Sequence, residues 1–202
     1  MTKTTLGLQF KETMSGGFCL GTNEPKQGNS LGKQKGFELA MHAQVDIDDI
    51  DHFTDDAAHA GRLSGSIDFA PLGTNMCAHT GVFNLFYPDS QPNMKLMIYE
   101  LGFNHQGQEY YLAGKKEVRD DPGFDLWTDT TTLFTQLHQG VDKQAQIIGA
   151  GVLSLGVKDL LKLVSTVTVL NAQSSTDKAA TVAKFGKFFM GELWESYVQS
   201  KG

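Results

Sequence analysis

The feature that most constrains this chain is a two-residue rhythm of apolar and polar side chains, punctuated by glycine, that runs to about residue 156 and then gives way to a helical period. Successive residues of a strand face opposite sides, so alternation marks a strand with one buried face. Recurrence every three or four residues marks a helix. Leu6, Leu8 and Phe10 alternate before Gly16-Gly17, a pair that predicts a bend or bulge, and Phe37 to Ile47 alternates through Leu39, Met41, Ala43 and Val45. Further strands are expected over Arg62–Phe69, Ala78–Tyr87 and Gln146–Leu155. The longest is expected over Phe124–His138, where Thr128 to Thr135 is rich in β-branched threonine. Lys95–Phe103 and Gln108–Val118 read as a hairpin across Asn104-His105-Gln106-Gly107.

The polar stretch Asn23 to Gly36, with Gly28, Gly32 and Gly36, reads as a mobile loop. Aspartates that can cap a helix precede Ile50, Phe53 and Ala57, which predicts a short helix between Asp48 and Ala58. After Gly156 the residues Val157, Leu160, Leu161, Val164 and Thr168 share one helical face. Ser174 to Asp177 opens a second helix with the stripe Val182, Phe185, Phe189, Leu193 and Tyr197. Phe188 and Trp194 fall on its opposite side, where they would cover a second surface or a partner. The expected fold is mainly β: an antiparallel β-barrel or sandwich with one short helix and two C-terminal helices packed on it. A mixed α+β arrangement of two small sheets is the alternative. Residues 1–202 form a single domain in this reading, strand-rich over 1–155 and helical over 156–202.

Charge narrows the function classes. Seventeen basic against 23 acidic residues give a net charge of −6, and such a surface repels the phosphates that nucleic-acid binding must neutralise. No window approaches 18 uninterrupted apolar residues, so no transmembrane segment is expected. Met1 to Thr5 lead into a strand-like segment and not an apolar h-region, which predicts no signal peptide and a cytoplasmic protein. In that compartment Cys19 and Cys77 are expected as two buried thiols and not as a disulfide. Chemical motifs are scarce. The aspartates between Asp46 and Asp56 lack the glycine and glutamate of a calcium loop, and the six histidines form no zinc motif, so no metal is expected. Gly149-Ala150-Gly151 lacks the third glycine of a dinucleotide fingerprint, and no G-x-S-x-G elbow occurs. No cofactor is expected.

The most distinctive segment is Lys115 to Thr132. Lys115, Lys116, Glu117, Arg119, Asp125, Trp127, Asp129 and Thr131 are the candidate ligand- or partner-binding residues, forming a polar pocket with an aromatic wall or an interface anchored on Trp127. The competing reading is a charged turn at Asp120-Asp121-Pro122-Gly123 whose aspartates bond the local backbone. Period two places Lys116 with Val118, and Asp125 with Trp127 and Asp129, on common faces.

Four segments, Phe10 to Gly16, Gly81 to Phe86, Gly114 to Leu133 and Phe185 to Trp194, together resemble an accessory region of large bacterial proteins of the cholesterol-oxidase-like GMC oxidoreductase group, found sometimes beside an α/β-hydrolase module. The resemblance spans nearly the whole chain. It implies a neighbourhood of sterol or lipid oxidation, not a reaction: the flavin fingerprint and the hydrolase elbow are both missing, so no catalytic residue carries over. The expected function is a non-catalytic accessory domain that binds an apolar, lipid-like ligand or an oxidoreductase or hydrolase partner. The alternatives are a small isomerase, cyclase or hydrolase with Lys116, Glu117, Arg119, Asp125 and Asp129 as acid–base groups, and a structural homo-oligomerisation module.

Overall fold

The computed structural model describes residues 5–91, 94–119, 130–156 and 165–198. In β1 (Gly7–Leu20) the side chains of Leu8, Phe10, Met14 and Phe18 are buried on one face, and in β2 (Glu38–Ile47) those of Leu39, Met41, Ala43, Val45 and Ile47. The chain continues through β3 (Ala60–Phe69), β4 (Gly73–Pro88), β5 (Met94–His105), β6 (Gln108–Arg119), β7 (Thr132–Gln139) and β8 (Gln146–Ser154). Each strand pairs antiparallel with the next, and β1 pairs with both β2 and β8. The result is a closed up-and-down barrel of eight strands, in which the alternating apolar set fills the interior. A short β9 (Thr168–Leu170) pairs with Gly7–Gln9, the part of β1 that β8 leaves free. Thr168 therefore lies in a strand and not on a helical face.

Glycine is used for contact more than for bending. The register of β1 on β2 runs unbroken from Leu8 to Gly17, so no bulge interrupts this pairing at Gly16-Gly17. A Cβ on Gly16 would lie 2.1 Å from the Val152 carbonyl oxygen, and one on Gly17 would lie 2.3 Å from that of Asn29. Asn29 belongs to α1 (Pro25–Lys35), a helix where a mobile loop was expected. Pro25 starts it, and Gly36, in the left-handed region at φ 69°, closes it by donating its N–H to Gly32 and Lys33 carbonyls. The helix escapes a hydropathy reading because the residues it buries, Gly28 and Gly32, are small and not apolar. They let its backbone sit directly on the outer face of β1 and β8.

The short helix α2 (Ile50–Asp55) is capped by Asp49, whose carboxylate accepts from the Asp51 and His52 N–H groups at 2.9 and 3.1 Å. Its Ile50 and Phe53 are buried. The C-terminal helix α3 (Ser175–Val198) crosses the same end of the barrel. Phe185 lies 6.2 Å from Phe10, Phe188 lies 5.7 Å from Phe53, and Phe189 lies 5.4 Å from Phe86, measured between ring centroids. Lys184–Asp51 and Lys95–Glu192 ion pairs, each 2.6 Å, tie the helix down. Phe188 thus faces the barrel, contrary to expectation, and Val182 of the expected stripe is exposed. Two other expectations change. Cys77 is exposed while Cys19 is buried, both as free thiols. Strand β7 starts at Thr132, after a helical turn at Thr130-Thr131, and so is not the longest. Residues 120–129 and 157–164, which carry the expected charged turn and most of the first C-terminal helix, lie outside the described residues. Among the described residues no helix is long and apolar enough to cross a membrane.

Candidate functional site

Alternation along β6 divides the candidate residues between two environments. Lys115 and Glu117 point outward and pair with each other at 2.9 Å, whereas Lys116 points into the barrel, where it is 2% exposed. As expected, Lys116 shares its face with Val118, which is fully buried. Thr131 is buried, and its carbonyl accepts from the Leu155 N–H at 3.0 Å. Arg119 ends β6, and nothing further is described of its side chain. Asp125, Trp127 and Asp129 lie outside the described residues.

On the outer face, β5 to β8 form the floor of a half-open groove of about 830 Å³. Leu96, Ile98, Ala113, Phe134 and Ile147 make this floor apolar. The first turn of α1, Glu24 to Lys26, builds one wall, held to the barrel by the Gln136 amide donating to the Asn23 carbonyl at 2.8 Å. Register sets the two ends: Leu96 lies opposite Glu117 at one, and Tyr111 lies opposite His138, which neighbours Ile147, at the other.

The second end is polar and buried. Glu100, although 94% covered, accepts from the Tyr111 hydroxyl at 2.5 Å and from Lys143 Nζ at 3.0 Å. Burial and the Glu100 carboxylate together push the Tyr111 phenol well above its ordinary range, so it stays a donor. His138 is 3% exposed, and its Nδ1 lies 2.9 Å from the Ala145 carbonyl. A carbonyl can only accept, so Nδ1 carries the proton and, in the neutral ring, Nε2 is a bare acceptor. That Nε2 is buried and has no hydrogen-bond partner among the described residues.

A second polar group of residues lies inside the barrel. Glu12 stands at an inward position of β1 between Phe10 and Met14, and it faces Tyr99 of β5 and Lys116 of β6. The Lys116 ammonium lies 4.8 Å from the Tyr99 ring centroid, a cation–π contact, and forms no ion pair among the described residues. Burial pulls it below the usual lysine range, and the Glu12 charge only partly offsets this. Burial, then the Glu12 charge, drives the Tyr99 phenol upward. One Glu12 oxygen, Oε1, is buried without a hydrogen-bond partner among the described residues.

Glu12, Tyr99, Glu100, Tyr111, His138 and Lys143 were not among the sequence candidates. Two of them carried a legible signal: Glu12 interrupts the inward series Leu8, Phe10, Met14, and Glu100 interrupts the apolar run Leu96 to Leu101. Glu12 stands where alternation demands an apolar side chain, and a carboxylate there is unfavourable without a partner. No family model matches this chain, and neither the curated proteins nor the solved structures supply a match.

Proposed function

We propose that this chain is a non-catalytic binding module for a largely apolar, lipid-like small molecule, which lies along the outer groove with its polar end at Glu100 and His138. The observation that carries this reading is a groove of about 830 Å³ with an apolar floor, the buried Glu100 and His138 at one end and the Lys115–Glu117 pair toward the other. The volume lies within the usual range of small-molecule sites, and the apolar floor supplies the surface that such a ligand would cover. An accessory role in sterol or lipid oxidation, suggested by the resemblance, fits the same chemistry. Nile red, a neutral apolar dye, should brighten on binding the wild-type protein. Ile98→Asp puts a charge on the groove floor and should weaken that binding by at least about tenfold while the melting curve persists. Equal binding by a folded Ile98→Asp variant defeats the proposal.

An enzymatic reading has one observation in its favour, the interior Glu12–Tyr99–Lys116 group. Burial disfavours the charged form of this lysine, and the neutral amine that it favours is the nucleophilic form. On this reading the Lys116 amine would condense with an aldehyde, releasing water and forming an imine. Incubation with acetaldehyde and sodium cyanoborohydride should then place an ethyl group on Lys116 ahead of the exposed Lys33 and Lys35. Peptide mapping that finds Lys116 unmodified while the surface lysines are alkylated removes this reading.

A further inference from the structure

We propose that Thr13, His42 and Asp68, on the outer face of β1 to β3, form an acyl-accepting site in which the Thr13 hydroxyl attacks an activated ester. The groove is lined from β5 to β8 and α1, so this site shares no residue with it and does not depend on it. Antiparallel register creates the site. Thr13 of β1 lies directly opposite His42 of β2, and His42 lies opposite Ser66 of β3, two residues from Asp68 on the same face. The His42 ring is bonded on both sides. Its Nδ1 lies 3.1 Å from the Thr13 hydroxyl oxygen, and its Nε2 lies 3.1 Å from Asp68 Oδ2.

The direction of these bonds follows from Asp68. Its other oxygen accepts from the Asn75 N–H at 2.5 Å, and that bond, followed by the one to His42, holds the carboxyl below its usual range. Asp68 is therefore an anion at neutral pH and can only accept, so His42 Nε2 carries a proton. In the neutral ring Nδ1 is then the bare nitrogen, and the Thr13 hydroxyl donates to it. A hydroxyl that donates to an imidazole oriented by a carboxylate is an alcohol prepared as a nucleophile. Reagents can reach it, because the His42 and Asp68 side chains are 44% and 43% exposed. In the step, Thr13 Oγ1 bonds to the acyl carbon as its proton passes to His42 Nδ1. The bond from that carbon to the ester's alcohol oxygen then breaks, and the departing oxygen takes up the proton from the ring. His42 acts as the base, and Asp68, which touches only the ring, is a positioning residue.

The test is acetylation of the full chain by 4-nitrophenyl acetate at neutral pH, followed by acid quench and peptide mapping of hydroxylamine-labile acetyl groups. Thr13 should be acetylated at least about a hundredfold faster than Ser30, an exposed hydroxyl that donates to the Lys26 carbonyl and has no base beside it, which is the usual scale of general-base help. His42→Gln, whose amide can bond both neighbours but is no base, should remove that advantage. Asp68→Asn should slow the reaction at least about tenfold, because its amide can donate to Nε2 and so put the ring proton on Nδ1. Asp68→Glu restores an accepting carboxylate and should recover part of the loss, a difference that a merely structural role would not produce. An acetyl ester no faster to form at Thr13 than at Ser30 overturns the proposal, as does an unchanged rate in His42→Gln. Nitrophenolate release that continues undiminished in Thr13→Val also overturns it, since the attack would then come from another group.

Discussion

Glu12→Leu is expected to destabilise the fold by about 3 kcal/mol or more, while the double variant Glu12→Leu, Lys116→Met is expected to be more stable than the wild type by about 1 to 4 kcal/mol. Among the described residues, the single change removes the charge that helps hold the Lys116 ammonium in the barrel, and burial already opposes that ammonium. The double change replaces both groups with apolar side chains of similar size among Met97, Leu112 and Leu133, which are buried. Urea denaturation of the three proteins at pH 7 measures the differences. The ordering double, wild type, single is the expected result, and a double variant weaker than the wild type would show the interior group to be stabilising.

The same pair predicts a pH dependence whose sign follows from Lys116. Its folded-state pKa lies below the unfolded value of 10.5, so as pH rises the proton leaves the folded chain first. Between those two values the unfolded chain binds more protons, and stability therefore climbs with pH toward 10.5. The penalty is fully present at lower pH, where both states carry the charge. Tyr99 acts oppositely: its folded pKa is raised, so the stability it contributes is intact below about pH 10 and lost above. The lysine effect is therefore read below about pH 10, before Tyr99 titrates, as a gap between double variant and wild type that narrows as the pH is raised. Should methionine pack better there, the chain is retaining a buried amine against its own stability. This fits the pattern in which functional groups are held at a stability cost.

Much of the barrel was legible because one period governs it. In β2 the residues Leu39, Met41, Ala43, Val45 and Ile47 alternate without a break, and all five are buried. The hairpin of β5 and β6 turns at Gln106-Gly107, both at positive φ, within the expected turn. Legibility failed where burial does not depend on hydrophobicity. Helix α1 packs through Gly28 and Gly32, which carry no apolar signal, and its polar remainder reads as a loop. The site was half legible for a related reason. Lys115, Lys116 and Glu117 drew notice as a charged cluster, but sequence alone does not say which lies inside a closed barrel. Glu100 and His138 come together only because β5 and β7 both flank β6, through pairings of Glu100 with Ala113 and Tyr111 with His138.

Gly28→Ala separates packing from helix propensity, because the two predict opposite signs. In an exposed helix interior the change would stabilise by about 1 kcal/mol. Here the added Cβ would lie 1.9 Å from the Ala150 carbonyl oxygen, a backbone atom of β8 that cannot rotate away. Either α1 lifts from the barrel or β8 shifts against β1 and β7, and overpacking of this kind destabilises by about 1 to 3 kcal/mol even in cores that can adjust. A net loss of about 2 kcal/mol or more is expected in urea denaturation, against a change within about 0.5 kcal/mol for Ser30→Ala, an exposed position of the same helix. The consequence reaches the groove, because Glu24, Pro25 and Lys26 at the start of α1 form its wall and Gln136 anchors the preceding residue. Nile red affinity should therefore fall in Gly28→Ala under conditions where the barrel remains folded, and stay unchanged in Ser30→Ala. A Gly28→Ala protein as stable as the wild type, with full dye binding, would mean that α1 does not sit on the β1–β8 face through its glycines.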